Sequence, residues 1–290
     1  MASLKEVKGR IATVNNTRKI TSAMKMVASA KLHKAQGAIT NMLPYERRLH
    51  GLLTNLLGGG EVLVWNTPRE VKRVALVVFS SNSSLCGGFN ANVIKHATQW
   101  LNEYQALGKD NILLYPVGKK VADALSKMGY VVQGNFQHLA DKPSFAEAAE
   151  LAQGLMNLFT QGEIDRVELL YNHFKSTASQ ILTREVYLPF LLSSPKQSEE
   201  ARKHQEETDY ILEPSREELL ETLLPKVLRM KLYTVLLDSN ASEHAARTMA
   251  MQIATDNADD LLQELTLMYN KTRQQAITNE LLDIVGGSMA

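Results

Sequence analysis

The chain has 290 residues, a formal net charge of +1 and a single cysteine, Cys86. The near-neutral charge argues against a protein that binds nucleic acid over its whole surface. One cysteine excludes an internal disulfide and a CxxC zinc ribbon, and it fits a reducing compartment. The first residues lack the apolar stretch of a signal peptide, and no run of about 18 apolar residues occurs. The composition therefore predicts a chain that does not span a membrane and that reaches one only through a partner.

The first predicted element is a helix over about residues 3 to 57. Its apolar residues form two stripes with the three- and four-residue steps of a coiled-coil seam: Leu4, Val7, Ile11 and Val14, then Ile20, Met24 and Val27. The offset between the stripes predicts a shift of register near Arg18. Residues 1 to 50 carry ten basic side chains and two acidic ones. A helix this basic could bind RNA or an anionic bilayer, or lie inside a collar of acidic proteins. Its charges could equally form a solvated face with no partner.

The middle of the chain has the pattern of an α/β domain, because predicted strands alternate with predicted helices. The predicted strands are 74–79, 112–117, 130–132, 166–171 and 181–187, and the predicted helices are 90–107, 119–128 and 145–159, the last opened by a capping box at Ser144 and Glu147. The continuous apolar run over 74–79 is typical of a buried parallel strand. We therefore expect a Rossmann-like α/β domain with a largely parallel sheet.

The last third of the chain predicts a linker and a very long helix. A polar, charged stretch over 193–209 is typical of a linker. A second capping box at Ser215 opens a helix that we expect Pro225 to kink or interrupt. Residues 226–285 then contain neither glycine nor proline, enough for a helix of about 90 Å.

Small residues in the middle of this helix, among them Ala241 and Ala245, allow a second helix to approach closely. We therefore expect the two terminal helices to form an antiparallel coiled coil in which the far end of the longer helix stays unpaired. The predicted organisation is an N-terminal coiled-coil helix (1–60), a central α/β domain (61–195), a linker and foot region (196–215) and a C-terminal coiled-coil helix (216–290).

The strongest candidate for a chemical site is the loop Asn82–Asn90, which lies after a predicted strand and before a helix. A phosphate-binding loop belongs at that place in a doubly wound domain. The loop matches neither G-x-G-x-x-G nor G-x-x-x-x-G-K-[ST], so we interpret it as a turn that needs glycine for steric reasons. No base is assigned to Cys86, which we interpret as a buried structural thiol. The seven histidines have no metal-ligand spacing.

Five segments of the chain match one known family. They are Lys19-Ile-Thr-Ser-Ala-Met-Lys-Met-Val27 preceded by Asn16-Thr17, Leu85-Cys-Gly-Gly-Phe-Asn90, Glu213-Pro-Ser-x-Glu-Glu-Leu-Leu220, Ala241-Ser-Glu-His-Ala-Ala-Arg247, and Tyr269-Asn-Lys-Thr-Arg-Gln274 with Ile277-Thr-Asn-Glu280, Asp283 and Gly287. Together they resemble the γ subunit of bacterial-type F-type ATP synthases, close to the full length of the chain. The chain departs from the family where Asn82-Ser83-Ser84 replaces Asp-Arg-Gly and where Ser288 follows Gly287. These departures concern local loop contacts.

The resemblance implies a non-catalytic rotor in the central stalk. The terminal coiled coil would turn inside a ring of three α and three β subunits, and the α/β domain would lie near the ε subunit and the membrane c-ring. The residues implied in partner contacts are Arg247, Gln274 and Thr278 for a β-subunit loop, Met24 and Lys25 for the acidic lever of β, Tyr210 and Glu213 for ε and the c-ring, and Leu281, Leu282, Ile284 and Val285 for an apolar tip.

The resemblance also implies no cofactor, no nucleic acid, no direct membrane insertion and a peripheral location at the cytoplasmic face of the plasma membrane. The driving ion, proton or sodium, is chosen in the c-ring and is not encoded in this chain. Two other hypotheses remain open from the residues alone. The first is a nucleotide-binding enzyme built on the α/β domain, and the second is a coiled-coil adaptor or RNA-binding protein that uses the basic helix.

Overall fold

The computed structural model describes residues 3–57, 65, 67–190, 212–213 and 215–288, and the structural statements below concern these residues. Within them, the following side chains are not described: those of residues 43, 47, 50, 54, 55, 57, 286 and 288. The elements in chain order are α1 (Leu4–Leu57), β1 (Val74–Phe79), α2 (Phe89–Glu103), β2 (Ile112–Val117), α3 (Lys119–Lys127), α4 (Gln137–Asp141), α5 (Phe145–Thr160), β3 (Arg166–Phe174), β4 (Gln180–Leu188) and α6 (Arg216–Ser288).

The chain divides into two compact units. The coil unit comprises Met1–Ala30 and Arg247–Ala290, and the α/β unit comprises Lys31–Ala246. Long helices with exposed polar faces and an α/β sheet domain confirm the predicted fold class.

In the coil unit, α1 and α6 pair antiparallel. The Arg18 guanidinium donates to the Asp259 carboxylate at 2.8 Å, and the Thr21 and Thr255 hydroxyls lie 2.8 Å apart. As the residue number rises along α1, the partner number falls along α6, which is the antiparallel pairing that the sequence predicts. Val7, Ala28, Met251, Ala258 and Leu265 are buried along this contact.

The predicted shift of register near Arg18 is wrong. The less exposed positions of α1 continue the three- and four-residue steps from Val7 and Ile11 through Arg18, Thr21 and Ala28. Ile20 and Val27 of the predicted second stripe are instead 60% and 58% exposed. The seam keeps its register because polar side chains occupy it at the level of Arg18 and Thr21, where they bond to α6. A search for apolar positions alone does not detect such a layer.

The α/β unit is built on a four-stranded mixed sheet of order β2-β1-β3-β4. β1 pairs in parallel with β2 and β3, and β3 pairs antiparallel with β4. All six residues of β1 are buried, as its continuous apolar sequence predicts for a central parallel strand. The predicted strand 130–132 is wrong, because Val132 makes only an isolated bridge to Leu114.

Each face of the sheet has its own apolar core. On one face, side chains of α1, α5 and α6, among them Leu53, Leu155 and Leu228, pack on β1 and β3. On the other face, α2 and α3 contribute Trp100 and Val121. Leu53 is fully buried, and burial of one such leucine contributes about 2 kcal/mol. In a third small cluster, Leu32 and Ala35 of α1 pack on Ala241 and Ala245 of α6, as the small residues predict.

Three local predictions have different outcomes. The Ser215 hydroxyl accepts a hydrogen bond from the Glu218 amide at 3.2 Å, which confirms that cap. Ser144 makes no side-chain cap, so that prediction is wrong: the Glu147 carboxylate pairs with His138 instead. Pro225 does not interrupt the helix, since α6 runs unbroken from Arg216 to Ser288. The buried leucines around it, Leu220, Leu224 and Leu228, pack against the core and offset the loss of one backbone hydrogen bond.

Candidate partner-binding surfaces

The loop after β1 has the position of a phosphate site, but its side chains and carbonyls accept hydrogen bonds from the first amides of α3. At the start of α3, the Lys119 amide donates to Asn82 Oδ1 at 2.8 Å, and the Val121 amide donates to Ser80 Oγ at 3.1 Å. The Lys120 amide donates to the Ser81 carbonyl at 3.1 Å. A bound phosphate depends on free amides at a helix N-terminus. These amides of α3 are occupied within the chain, and the Asn82 side-chain amide also donates to the Gln137 carbonyl of α4 at 2.7 Å. In the loop itself, Gly87 has φ +59°, a conformation that favours glycine and fits the turn interpretation.

Steric demands explain a glycine beside this loop. Gly118 has φ +112°, and a Cβ there would lie 2.2 Å from the Ser80 carbonyl oxygen. Only glycine allows the chain after β2 to approach β1 this closely. Cys86 is 2% exposed and receives a hydrogen bond from the Asn90 side-chain amide at 3.1 Å. This burial confirms the prediction of a buried thiol.

The end of α6 presents apolar side chains to solvent. Leu281, Leu282, Ile284 and Val285 are 57%, 64%, 68% and 52% exposed. The pairing of Arg18 with Asp259 places the start of α1 opposite about residue 273 of α6, and about 15 further residues, or ~22 Å of helix, extend beyond it. A contiguous exposed apolar surface of this kind is typical of an interaction site.

The predicted β-loop contacts lie at two separate places. Gln274 and Thr278 are exposed and one turn apart, with the Thr278 hydroxyl bonded to the Gln274 carbonyl at 2.9 Å. Arg247 is only 9% exposed. It precedes Gln274 by 27 residues, which corresponds to about 40 Å of helix. One loop cannot contact all three residues at once, so a partner would engage Arg247 separately from the other two.

The predicted lever contact lies at the level of the polar seam layer. Met24 and Lys25 are half-buried, and Ile20 and Val27 expose apolar side chains on either side of them in the sequence. On α6, Ile253 is also exposed. The apolar pattern of the sequence predicts Ile20 and Val27 in the seam, whereas the structure exposes both at the surface. The available signal was their offset from the steps set by Val7, Ile11 and Val14.

The predicted contacts with ε and the c-ring are described only in part. Glu213 is exposed, and Tyr210 lies outside the described residues. None of the described helices has the length and apolar character needed to cross a membrane. Over the described part of the chain, no three His, Cys, Asp or Glu side chains come together in a way that could hold a metal ion.

Comparisons with known proteins cover the whole chain. The ATP synthase family model matches residues 3–290. The chain is 68% identical to the ATP synthase gamma chain of Phocaeicola vulgatus, with full coverage of both chains. It is 64% identical to that of Bacteroides fragilis, again over both full lengths, and 47% identical to that of Flavobacterium johnsoniae, with 100% and 99% covered.

Solved structures agree. The fold is similar to a chain of the Tetrahymena thermophila mitochondrial ATP synthase central stalk and c-ring, with a TM-score of 0.56, 25% identity and coverage of 81% of this chain and 99% of that one. A chain of the Euglena gracilis mitochondrial ATP synthase has a TM-score of 0.64 at 20% identity, covers 99% and 93%, and supports the fold. The chain belongs to the ATP synthase gamma chain family, and it is a non-catalytic central-stalk subunit of an F-type ATP synthase.

Proposed function

We propose that this chain is the rotor that couples rotation of a membrane c-ring to ATP synthesis and hydrolysis at β subunits. The observation that carries this proposal is the antiparallel coil of α1 and α6, whose longer helix continues past its partner with an exposed apolar end. An axle inside a sleeve needs a stiff paired shaft and an end that a surrounding ring can cover without fixed polar bonds. The partners are three α and three β subunits, the ε subunit and the c-ring.

Asymmetry of the coil would supply the coupling. Residues 3–30 of α1 carry six basic side chains and one acidic one, whereas residues 247–288 of α6 carry three basic and six acidic ones. The axle thus has a basic side and an acidic side. As it turns, each of three chemically identical β subunits meets a different face. An orientation that binds one β conformation more tightly shifts that subunit toward it, and rotation exchanges the three states.

The partner contacts fall into separate groups. Met24 and Lys25, with Ile20 and Val27 beside them, would meet the acidic lever of β. Gln274 and Thr278 would meet a β-subunit loop, and Arg247 would act at a different level of the axle. Leu281, Leu282, Ile284 and Val285 would form the apolar tip in the sleeve. Tyr210 and Glu213 would contact ε and the c-ring.

The location follows from these partners. The chain is a peripheral subunit, held at a membrane through its complex. We place it at the cytoplasmic face of the plasma membrane, the side on which a bacterial-type complex meets cellular ADP and ATP. Fractionation tests this: the chain should leave washed inverted vesicles together with the α and β subunits when the vesicles are stripped at low ionic strength. Retention of the chain on vesicles that have lost α and β would contradict it.

A pull-down tests the rotor proposal. The tagged chain would be purified from gently solubilised native membranes, and subunit stoichiometry would be read by native mass spectrometry. The expected result is one copy of this chain with three copies each of two larger, nucleotide-binding chains. Recovery of the chain alone, or with nucleic acid only, would refute the rotor assignment.

A further inference from the structure

The segment of α6 from Asp238 to Arg247 is unusual because polar side chains are buried in it. Ser239, Asn240, Ser242 and Glu243 are each less than 10% exposed. A buried polar group is costly unless it is hydrogen-bonded. A helix that needed only to pack against the sheet would bury apolar side chains here, as α6 does at Leu228 and Leu232. The buried polar groups therefore indicate that this part of α6 is held by hydrogen bonds, whose strength depends on direction.

One face of this segment is bonded to the end of β3. Asp238 accepts a hydrogen bond from the Phe174 amide at 2.7 Å, and its second oxygen pairs with His173 Nδ1 at 2.6 Å. One turn later, the Ser242 hydroxyl donates to the Asn172 carbonyl at 2.8 Å. Three successive residues of β3 are thus bonded to two side chains on one face of the helix.

The opposite face is bonded to α4. The Asn240 side-chain amide donates to the Ala140 carbonyl at 2.7 Å, and both partners are buried. At 3.6 residues per turn, Asp238 and Ser242 lie about 40° apart around the helix, whereas Asn240 lies about 160° or more from both. The helix is therefore held from two sides within five residues. Rotation of α6 about its own axis would have to break these bonds together.

We propose that Asp238, Asn240 and Ser242, here called the α6 clamp, are positioning residues that transmit torque between the α/β domain and helix α6. Apolar packing is non-directional, so side chains can exchange neighbours as a loaded helix turns. Hydrogen bonds weaken steeply when their angle is lost, so they resist the same rotation. The proposal rests on the rotor function proposed above, and it assigns a role to residues whose hydrogen bonds lie within this chain.

The test uses single-molecule rotation of the assembled complex. The native cysteine is buried, so Asp110→Cys on the exposed surface of the α/β domain offers a selective attachment point for a bead. ATP hydrolysis then turns helix α6, and the torque reaches the bead on the α/β domain through the α6 clamp. The variant is Asn240→Ala with Ser242→Ala. The control is Thr222→Ala, an exposed threonine of the same helix whose hydroxyl donates to the Glu218 carbonyl.

With a small bead, the variant, the control and the parent should rotate at the same rate. With a large bead, the variant should make about fivefold fewer revolutions per ATP hydrolysed, a factor that corresponds to ~1 kcal/mol, while the control follows the parent. A purely structural role would lower assembly or stability without changing the dependence on load. The proposal would be overturned if revolutions per ATP depended on bead size in the same way in variant and parent. A parent complex whose bead never rotates would overturn the rotor function itself.

Asp238→Asn provides a second variant if the double variant does not assemble. Its side-chain oxygen can still accept the Phe174 amide, but an amide nitrogen replaces the carboxylate oxygen that pairs with His173. With a large bead, this variant should also make fewer revolutions per ATP than the parent, but the loss should be smaller than in the double variant. An Asp238→Asn complex with the parent load curve would contradict the proposal for this side of the helix.

Discussion

Polar replacement of the α6 tip should weaken assembly of the complex without unfolding the chain. The change is Leu281→Gln, Leu282→Gln, Ile284→Thr and Val285→Thr. These side chains are 52% to 68% exposed in the chain itself, so each substitution should cost the free chain less than about 0.5 kcal/mol. Full burial of such a side chain contributes about 1.5–3 kcal/mol. Since roughly 60% of each is still exposed, a sleeve would gain ~1–2 kcal/mol per side chain.

Together the four side chains offer ~5 kcal/mol of gross burial energy, part of which the ordering of the interface offsets. We therefore expect at least about tenfold weaker association, or ~1.4 kcal/mol. The assay titrates the chain into α and β subunits and follows the assembled complex by gel filtration. Val131→Thr with Ile181→Thr, two exposed apolar residues of the α/β unit, is the matched control. Equal association of tip variant, control and parent would refute the burial of the tip.

Three further predictions follow from other contacts. Arg247→Ala should lower the rates of coupled ATP synthesis and hydrolysis. It should also destabilise the chain by about 1–2 kcal/mol, because a side chain that is only 9% exposed loses its packing. Wild-type rates would refute a contact between Arg247 and a β-subunit loop. Gln274→Ala with Thr278→Val should lower the same rates with no change in melting temperature, because both residues are exposed; a lowered melting temperature would contradict this. Burial raises the pKa of Tyr187 well above its ordinary value, so the folded state keeps the neutral phenol while the unfolded chain ionises from about pH 10. The contribution of Tyr187 to stability is therefore unchanged below about pH 10 and falls above it. Tyr187→Phe should lose ~1 kcal/mol with the hydrogen bond to the Leu228 carbonyl, and in urea melts its stability should decline less steeply above about pH 10 than that of the parent. An equally steep decline in variant and parent would refute this role for Tyr187.

Much of the fold is predictable because it depends on local sequence. The glycine- and proline-free run over 226–285 predicts the long helix, and the apolar run over 74–79 predicts a central strand, since each pattern acts through neighbouring residues. The number of strands in the sheet was less predictable. Tyr130–Val132 has strand-forming residues, yet it adds only one bridge to β2. Strand formation needs a partner edge, which the local sequence does not describe.

The candidate surfaces divide in the same way. The apolar composition of residues 281–285 predicts a tip from sequence alone. The burial of Arg247 and its separation from Gln274 and Thr278 were not predicted, because a motif gives residue types and not the exposure of their side chains. Ile20 and Val27 are exposed because the polar residues Arg18 and Thr21 occupy the seam, which apolar periodicity does not predict.

The sequence by itself determined where this protein is helical, which strand lies at the centre of the sheet, and which family it belongs to. The tertiary structure alone decided which polar groups pair: Thr21 with Thr255, 234 residues apart, Glu147 with His138 in place of a cap, and the α6 clamp with β3 and α4. Propensity and periodicity act within one element. A hydrogen bond between two elements depends on the position and angle of two groups that the fold brings together, so it forms only when those elements are packed.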